Sequence, residues 1–166
     1  FDGPVASRPQ AASQSIYVSK PSATDPSVAP AGYENLFVLV PVPADPSVGH
    51  GDMYRGEASE QVQRIADAAL EQIASRCGVA GLGRRIVVKQ TLGPADFAER
   101  YNAWSGGSIG PAHTLRQSAF LRGSNKSRKV RSLMYAGATT APGVGVPMCL
   151  ISACLLYTSP SPRDRG

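Results

Sequence analysis

The sequence predicts a mixed α/β fold, with helices and strands segregated in an α+β manner within the 166 residues of the chain. Three observations support this prediction: one long helical pattern, short runs of β-forming residues before and after it, and a Gly/Pro-rich segment near the C-terminal end. Hydrophobic residues make up 42% of the sequence and charged residues 17%, which is typical of a globular protein. Segregated elements of this kind are expected from part of a two-domain protein.

Four segments have the composition of β-strands. Residues 15–20 (SIYVSK) alternate β-forming and small polar residues, as a half-buried strand does. Residues 36–42 (LFVLVPV) form a nearly continuous apolar run, which predicts a strand that is buried on both faces and ends at its prolines. Residues 86–91 (IVVKQT) predict a third strand, and residues 133–138 (LMYAGA) predict a short strand that leads into the Gly/Pro-rich segment.

A long helix is predicted over residues 57–77, because apolar side chains recur there at steps of three and four residues. Acidic residues stand near its start and Arg76 near its end, which suits the helix dipole, and Gly78 can close it. We interpret it as a helix that covers a sheet. A shorter helix is predicted from Pro94 to about residue 104. The apolar stripe of the long helix consists of Val62, Ile65, Ala66, Ala69, Leu70, Ile73 and Cys77.

Positive charge is concentrated in the C-terminal half of the chain. The net charge is +5, and residues 100–163 contain no acidic residue. Such a block attracts anions, which leaves a cofactor pyrophosphate, acidic lipid head groups and nucleic acid as open interpretations, beside a solvated loop without a ligand. The basic residues in question are Arg116, Arg122, Lys126, Arg128, Lys129 and Arg131.

Residue types and spacing argue against several kinds of site. The three cysteines have neither metal-binding nor redox spacing, and no metal site is predicted. His50 and His113 are too isolated for a catalytic triad, and we expect a loop or packing role for His113. The longest apolar run, residues 148–157, is shorter than the about 20 residues that span a bilayer.

Residues 135–147 (YAGATTAPGVGVP) predict the end of a strand, a loop and the start of a helix. Their glycines allow another group to approach the backbone closely, and their prolines stiffen the loop. Pro147 suits the first turn of a helix, where unpaired N–H groups carry partial positive charge. Taken alone, a Gly/Pro loop before a helix is more often only a tight connection.

Three blocks, in this order, resemble the bacterial-type phytoene desaturases and related carotenoid desaturases. Residues 17–43, which contain YVSKPSATDPSVAP and ENLFVLVPVP, are similar to the family's strand–TDPS–strand block. Residues 105–122 (SGGSIGPAHTLRQSAFLR) resemble its GS-x-x-G and Q-S-A-x-x-R stretch. Residues 135–152 (YAGATTAPGVGVPMCLIS) resemble its closing flavin motif, usually written GAGTHPGAGVPGV. The resemblance extends over residues 15–153.

This resemblance implies an FAD-dependent oxidoreductase that inserts double bonds into phytoene, a long apolar polyene. The chain would be the C-terminal part of such a two-domain enzyme, inactive by itself, because no G-x-G-x-x-G of a dinucleotide-binding βαβ unit follows a strand here. A carotene isomerase, ketolase or saturase is the alternative within the fold. An amine oxidase-like flavoenzyme should place aromatic side chains around the flavin, and residues 136–153 contain none.

The resemblance assigns cofactor binding to the closing motif and identifies no catalytic side chain. FAD performs the chemistry, while the protein supplies orientation and an apolar channel. Gln117 and Arg122 are expected on the substrate or cofactor side, where Arg122 could pair with the pyrophosphate or the reduced flavin. The alternative for both is to anchor a loop through backbone hydrogen bonds. The expected cofactor-binding residues are Gly137, Ala138, Pro142, Gly143, Val144, Gly145, Val146 and Pro147.

Two positions depart from the family's pattern. Ala141 stands where the motif often has His before its Pro, so this side chain does no essential chemistry. Arg122 is followed by Gly123, whereas family members commonly have Arg-Pro. The conformation of this loop is therefore left open.

The expected partners follow from the apolar substrate. Phytoene partitions into the bilayer, so we expect a cytoplasmic enzyme that is peripheral on the inner face of the cell membrane. Basic residues 126–131 would contribute to this docking. A basic nucleic-acid-binding module is the non-enzyme alternative. Aromatic residues make up only 7% of the sequence and no binding motif is recognisable, so no nucleic acid is expected as a partner.

The blocks also predict a domain organisation. Residues 1–122 are assigned to part of a substrate-binding domain, and residues 123–153 to the basic loop and the closing strand–loop–helix of the FAD domain. Residues 154–164 (CLLYTSPSPRD) look like the translation of a sequencing adapter, so residues 154–166 are expected to be non-native. A genuine Ser/Pro-rich terminus is the alternative.

Overall fold

A computed structural model describes residues 15–110 and 121–158 of the chain. The chain divides into two compact units, with the division between Asp96 and Phe97. Helices, short strands and turns occur together, as a mixed α/β chain should show. The domain boundary expected at residue 122 stays a prediction.

The two strands, β1 at Tyr17–Ser19 and β2 at Phe37–Leu39, pair antiparallel with Tyr17 opposite Leu39. Each lies within a segment that the sequence predicts as a strand. Tyr17 and Phe37 meet edge to face, with ring centroids 6.4 Å apart. Phe37 is nevertheless 54% exposed, so the expectation of a strand buried on both faces is wrong. The reason is that β2 belongs to a two-stranded sheet, which leaves much of its side-chain surface uncovered.

The sequence Asp-Pro-Ser-Val occurs twice in the first unit, and each copy forms a short 3-10 turn. In the first turn, Pro26–Val28, the Asp25 carboxylate accepts the backbone N–H of Ser27 at 2.9 Å. In the second, Pro46–Val48, the carboxylate of Asp45 accepts the N–H of Ser47 at 2.8 Å. This is the capping role that a short acidic side chain performs well.

Helix α1, at Glu60–Cys77, begins after the predicted residue 57. Just before it, Ser59 is extended, and its N–H and hydroxyl both bond to the carbonyl oxygen of His50, at 3.0 and 3.1 Å. Gly78, with a φ of 65°, ends the helix in the left-handed region where glycine is favoured. A short helix, α2 at Leu82–Arg85, follows. The buried apolar side chains of the described residues are Val48, Val62, Ala69 and Ile73, three of them on α1.

The strand predicted at residues 86–91 is wrong. The segment has no strand conformation, and both of its valines are exposed. At its end, the N–H of Thr91 bonds to the Asp52 carboxylate at 2.6 Å, and the carbonyl oxygen of Thr91 accepts the N–H of Met53 at 3.3 Å. Because these backbone groups bond to a loop and a side chain, the β-forming residues have no ladder to extend.

Helix α3, at Pro94–Tyr101, ends before the predicted residue 104. Asn102 has a positive φ of 49°, which interrupts the helix, and a separate 3-10 turn follows at Trp104–Gly106. The strand predicted at residues 133–138 is also wrong. Met134 makes only an isolated antiparallel bridge with Lys126, because the chain turns on either side of it.

Helix α4, at Val146–Tyr157, is present as the Gly/Pro-rich segment predicts, with Pro147 in its first turn. It continues past Ala153 into residues that the sequence assigns to an adapter, and that assignment stays a prediction. Among residues 15–110 and 121–158, no helix is both long and apolar enough to cross a bilayer.

Candidate functional site

The Gly/Pro-rich loop enters α4 through three glycines with positive φ: Gly137 at 119°, Gly143 at 155° and Gly145 at 104°. Residues with a side chain rarely adopt these angles, so the backbone path itself requires glycine. A Cβ added at Gly137 or Gly143 would meet no atom within 4 Å. The loop therefore offers open space beside its backbone at two of the predicted cofactor positions.

Two buried hydroxyls lie behind this loop. Thr140 is 5% exposed and Ser152, on α4, is fully buried, with their oxygens 2.9 Å apart. The backbone N–H of Gly137 donates to the Ser152 oxygen at 3.2 Å, and the Thr140 hydroxyl donates to the carbonyl oxygen of Gly137 at 3.1 Å. The turn at Gly137 is thereby bonded directly to the middle of α4.

The side-chain amide of Asn125 joins the same cluster from a separate segment. Its nitrogen donates toward the carbonyl oxygens of Tyr135 and Ala141, each at 3.1 Å, and toward the Ser152 hydroxyl at 2.9 Å. It also lies 3.3 Å from the Thr140 hydroxyl oxygen. One side chain thus contacts the residues on either side of the turn at residues 137–140 and the helix that follows the loop.

Arg122 is 6% exposed and contacts the loop at Ala138. Its Nε donates to the carbonyl oxygen of Ala138 at 3.0 Å, and its Nη2 donates to the same oxygen. This contact matches the loop-anchoring alternative for Arg122, while pairing with the cofactor stays a prediction. Gln117, its expected companion, lies outside the described residues.

Gly123 lies in close contact with the loop. Its carbonyl oxygen accepts the N–H of Ala141 at 2.9 Å, and it pairs with Thr140 in a parallel bridge. A Cβ at this position would lie 2.9 Å from the carbonyl oxygen of Thr139, closer than a side chain is normally found. The loop therefore packs closely on the backbone of Gly123.

The first turn of α4 is open to solvent. Gly145 precedes it without a side-chain hydrogen bond to cap the helix, and no acidic residue stands in that turn. Val146 is 76% exposed. Because the first backbone N–H groups of a helix have no partner within it, this end can interact favourably with negative charge.

The structure thus keeps the eight predicted cofactor-binding residues in one continuous stretch that a buried polar cluster supports. Sequence reasoning did not find that cluster, which we define as Asn125, Thr140 and Ser152. Ser152 had a usable signal, since a hydroxyl in an otherwise apolar helix needs a buried partner. Asn125 had none, because nothing local distinguishes it from any polar loop residue.

A second buried polar arrangement lies in the first unit. Asp96 is 2% exposed, and one of its oxygens accepts the backbone N–H groups of Gly51 and Gly93. Its partners are backbone amides rather than other acids or histidines. Over the parts of the chain that the structure describes, no group of three or more His, Cys, Asp or Glu residues is arranged to hold a metal ion.

Comparison with known proteins identifies relatives over most of the chain. It is 49% identical to a carotenoid 3,4-desaturase from Haloarcula japonica over 136 residues, which cover 82% of this chain and 26% of the relative. It is 37% identical to a 4,4'-diapophytoene desaturase (4,4'-diaponeurosporene-forming) from Staphylococcus aureus over 139 residues, which cover 84% and 27%. A comparison with protein-family models gives no match.

The chain spans about a quarter of the length of these curated relatives. The resemblance that the sequence motifs indicate is confirmed by this identity. The chain therefore belongs to the carotenoid desaturase family.

Proposed function

We propose that the chain is part of an FAD-dependent desaturase that acts on a carotenoid precursor, with phytoene as the first candidate substrate. The observation that carries the proposal is the 49% identity to a carotenoid 3,4-desaturase over 82% of the chain. The glycine loop at residues 137–145, held against α4, supports a cofactor role for this part of the enzyme.

The residues present suit an FAD group. Gly137 and Gly143 leave open space beside the loop, and the uncapped start of α4 favours negative charge. When bound, the flavin accepts the hydrogens removed from the substrate. The eight residues that the sequence assigns to the cofactor (Gly137, Ala138, Pro142 and residues 143–147) would hold it.

The loop itself contributes binding and orientation rather than proton transfer. Between residues 136 and 147 the polar side chains are those of Thr139 and Thr140, and neither is an acid or base near neutral pH. Thr140 is committed to the buried cluster. The first turn of α4 can stabilise negative charge on a neighbouring group, which is useful to a cofactor that becomes reduced.

A second candidate substrate is a carotenoid that is already more desaturated than phytoene. It is favoured by the name of the more identical relative, a carotenoid 3,4-desaturase at 49%, against 37% for the diapophytoene desaturase. Both candidates share the class of reaction, which is removal of two hydrogens from a carbon–carbon bond. They differ in the carotenoid that enters the enzyme.

The experiment is to express the complete gene in two hosts, one accumulating phytoene and the other an already desaturated carotenoid. Loss of phytoene with formation of a longer chromophore supports the first candidate, and conversion only in the second host supports the second.

Gly137→Ala should lower both FAD content and conversion, because its φ of 119° disfavours a side chain. Gly83→Ala, where a Cβ meets nothing within 4 Å, is the matched control. A purified wild-type protein without FAD, or unchanged carotenoids in both hosts, contradicts the proposal.

We also propose that the basic loop, defined as Lys126, Arg128, Lys129 and Arg131, docks the enzyme on an anionic membrane surface at the inner face of the cell membrane. All four side chains are exposed, and Val130, between them, is 53% exposed. The N–H groups of Lys129 and Val130 bond to the Ser127 hydroxyl, which shapes the turn that presents them. Each charge near anionic lipid contributes about 1 kcal/mol.

Vesicle binding tests the docking proposal. Full-length enzyme should bind vesicles that contain phosphatidylserine more strongly than phosphatidylcholine vesicles, and high salt should weaken that binding because it screens charge. Replacing the four basic residues by Gln should remove most of the difference. To match the loss of charge, the double variant Arg84→Gln/Arg85→Gln on α2 is compared with Arg128→Gln/Lys129→Gln in the basic loop, since each removes two exposed positive charges. Equal binding by the two variants contradicts a role for this loop.

A further inference from the structure

We propose that Asn125, Thr140 and Ser152 are positioning residues. They hold the glycine loop, residues 137–145, and α4 together as one rigid element. The inference rests on the proposed function, since it concerns the shape of the loop that would receive FAD. It assigns no chemical step to the three side chains. Their role is to set where the backbone of residues 137–147 lies before the cofactor binds.

The hydrogen bonds among Gly137, Thr140 and Ser152 close into a ring. The Thr140 hydroxyl donates its proton to the carbonyl oxygen of Gly137 at 3.1 Å. Because a hydroxyl has one proton, the contact of 2.9 Å between Thr140 and Ser152 must be donated by Ser152. The N–H of Gly137 completes the ring by donating to Ser152 at 3.2 Å. Both polar groups of the Gly137 backbone are therefore tied to α4 and the turn.

Asn125 links the residues that lie before and after the turn at residues 137–140. Its amide nitrogen has two protons and four acceptors within 3.3 Å, so the protons are shared among them. Two of these acceptors are the carbonyl oxygens of Tyr135, before the turn, and Ala141, after it. The backbone carbonyl oxygen of Asn125 also accepts the backbone N–H of Tyr135 at 2.9 Å.

Both hydroxyls of the ring are buried. Ser152 is 0% exposed and Thr140 is 5% exposed, so neither hydroxyl can replace a lost partner with bulk water. A buried polar group without a hydrogen-bond partner costs free energy. Conformations of the loop that break the ring are therefore disfavoured. The loop therefore keeps one shape, and the start of α4 is held at a defined place relative to Gly137.

The test compares Ser152→Ala with Ser124→Ala in the full-length enzyme. Both changes remove one serine hydroxyl, but Ser124 is exposed and lies outside the cluster. We expect hydrogen exchange in residues 133–148 to increase in Ser152→Ala and to stay at the wild-type level in Ser124→Ala. We also expect Ser152→Ala to bind FAD at least about fivefold more weakly, the effect of leaving buried partners unsatisfied.

Thr140 supplies a rescue experiment that separates positioning from general destabilisation. Thr140→Val keeps the shape of the side chain and removes the hydroxyl, whereas Thr140→Ser keeps the hydroxyl and removes a methyl group. Positioning predicts that the Ser variant retains FAD affinity and loop protection while the Val variant loses both. The inference is overturned if the Ser and Val variants have the same FAD affinity, or if FAD affinity in the two variants changes only in proportion to their thermal stability.

The outcomes distinguish this inference from the proposed function. Wild-type enzyme that holds no FAD contradicts the proposed function, and the exchange measurements then still test whether the cluster fixes the loop. Wild-type enzyme that holds FAD, with Ser152→Ala unchanged in FAD affinity, overturns the positioning role alone. Increased exchange without weaker FAD binding overturns it as well, because the loop would then move without consequence for the cofactor.

Discussion

The carboxylate of Asp96 accepts a hydrogen bond from the backbone N–H of Gly51, 45 residues earlier in the chain, over 2.6 Å. The same oxygen accepts the N–H of Gly93 at 2.8 Å. Asp96 is 2% exposed, so water cannot easily replace either bond. A single side chain in the first turns of α3 thus joins two glycine-containing segments that the sequence separates widely.

Removing this carboxylate should destabilise the first unit. Asp96→Ala leaves two buried N–H groups without their acceptor, and we expect the free energy of unfolding to fall by about 2–4 kcal/mol. Asp96→Asn retains one oxygen acceptor and should lose less. Urea unfolding followed by far-ultraviolet circular dichroism measures both variants against wild type.

Asp67→Ala is the control for that measurement. Asp67 pairs with Lys89 at 3.0 Å, but its side chain is 55% exposed. An exposed ion pair contributes at most about 1 kcal/mol, so this variant should stay near wild type. Equal losses in Asp67→Ala and Asp96→Ala would show that the buried contact has no special importance.

Gly51 should tolerate no side chain. A Cβ at this position would lie 1.9 Å from the carbonyl oxygen of Thr91, which is backbone and cannot rotate away. We expect Gly51→Ala to lower the free energy of unfolding by about 1–3 kcal/mol or more through overpacking. Gly83→Ala, on helix α2 with no atom within 4 Å of the added carbon, should be neutral or stabilising by up to about 1 kcal/mol. Urea unfolding measures both variants, and a larger loss in Gly83→Ala than in Gly51→Ala would contradict the close contact between Gly51 and Thr91.

Asp52 should make stability depend on pH in the acid range. Burial raises the pKa of Asp52, but hydrogen bonds from the N–H and hydroxyl of Thr91 outweigh burial, so the pKa lies below its ordinary value of 3.8. A lowered pKa in the folded state stabilises the protein above the unfolded value and loses this stabilisation as pH falls through the folded value. We therefore expect wild type to lose stability more steeply than Asp52→Asn as the pH drops below about 4.

The difference between the two pH curves isolates Asp52. Hydrogen bonds also lower the pKa of Asp25, Glu34 and Asp45, and these groups are the same in both proteins. Their contribution cancels when the curves are subtracted. Parallel curves for wild type and Asp52→Asn would mean that the Thr91 contact does not favour the ionised carboxylate.

Arg122 should act through its geometry as well as its charge. It donates from Nε and Nη2 to the carbonyl oxygen of Ala138, and Lys can keep the charge but not this fork. We expect Arg122→Ala to destabilise the protein by about 1.5–3 kcal/mol and to lower the FAD content of the full-length enzyme, with Arg122→Lys in between. Differential scanning fluorimetry and flavin absorbance measure the two effects. Full FAD content in Arg122→Lys would favour a role for charge alone, and unchanged Arg122→Ala would remove the residue from the site.

Local patterns were enough to predict α1, the start of α3 and α4, but not the short helix α2 or the end of α3. Helix α1 follows from the spacing of apolar residues and from Gly78, and α4 from Pro147 after a run of glycines, because these signals act within a few residues. The family resemblance, confirmed by identity, rests on motifs that are equally local. The assignment of the cofactor to the loop also comes from these motifs.

Contacts between distant residues were beyond such patterns. Residues 86–91 and 133–138 have β-forming side chains but form no strand. A strand needs a neighbouring strand to hydrogen-bond with, and its own sequence does not specify that neighbour. The anchoring of Arg122 on Ala138 and the meeting of Asn125, Thr140 and Ser152 are decided by the folded chain, because hydrogen bonds between segments depend on where the backbone brings them. Sequence therefore identified the loop and the family, while tertiary packing decided which side chains hold that loop in place.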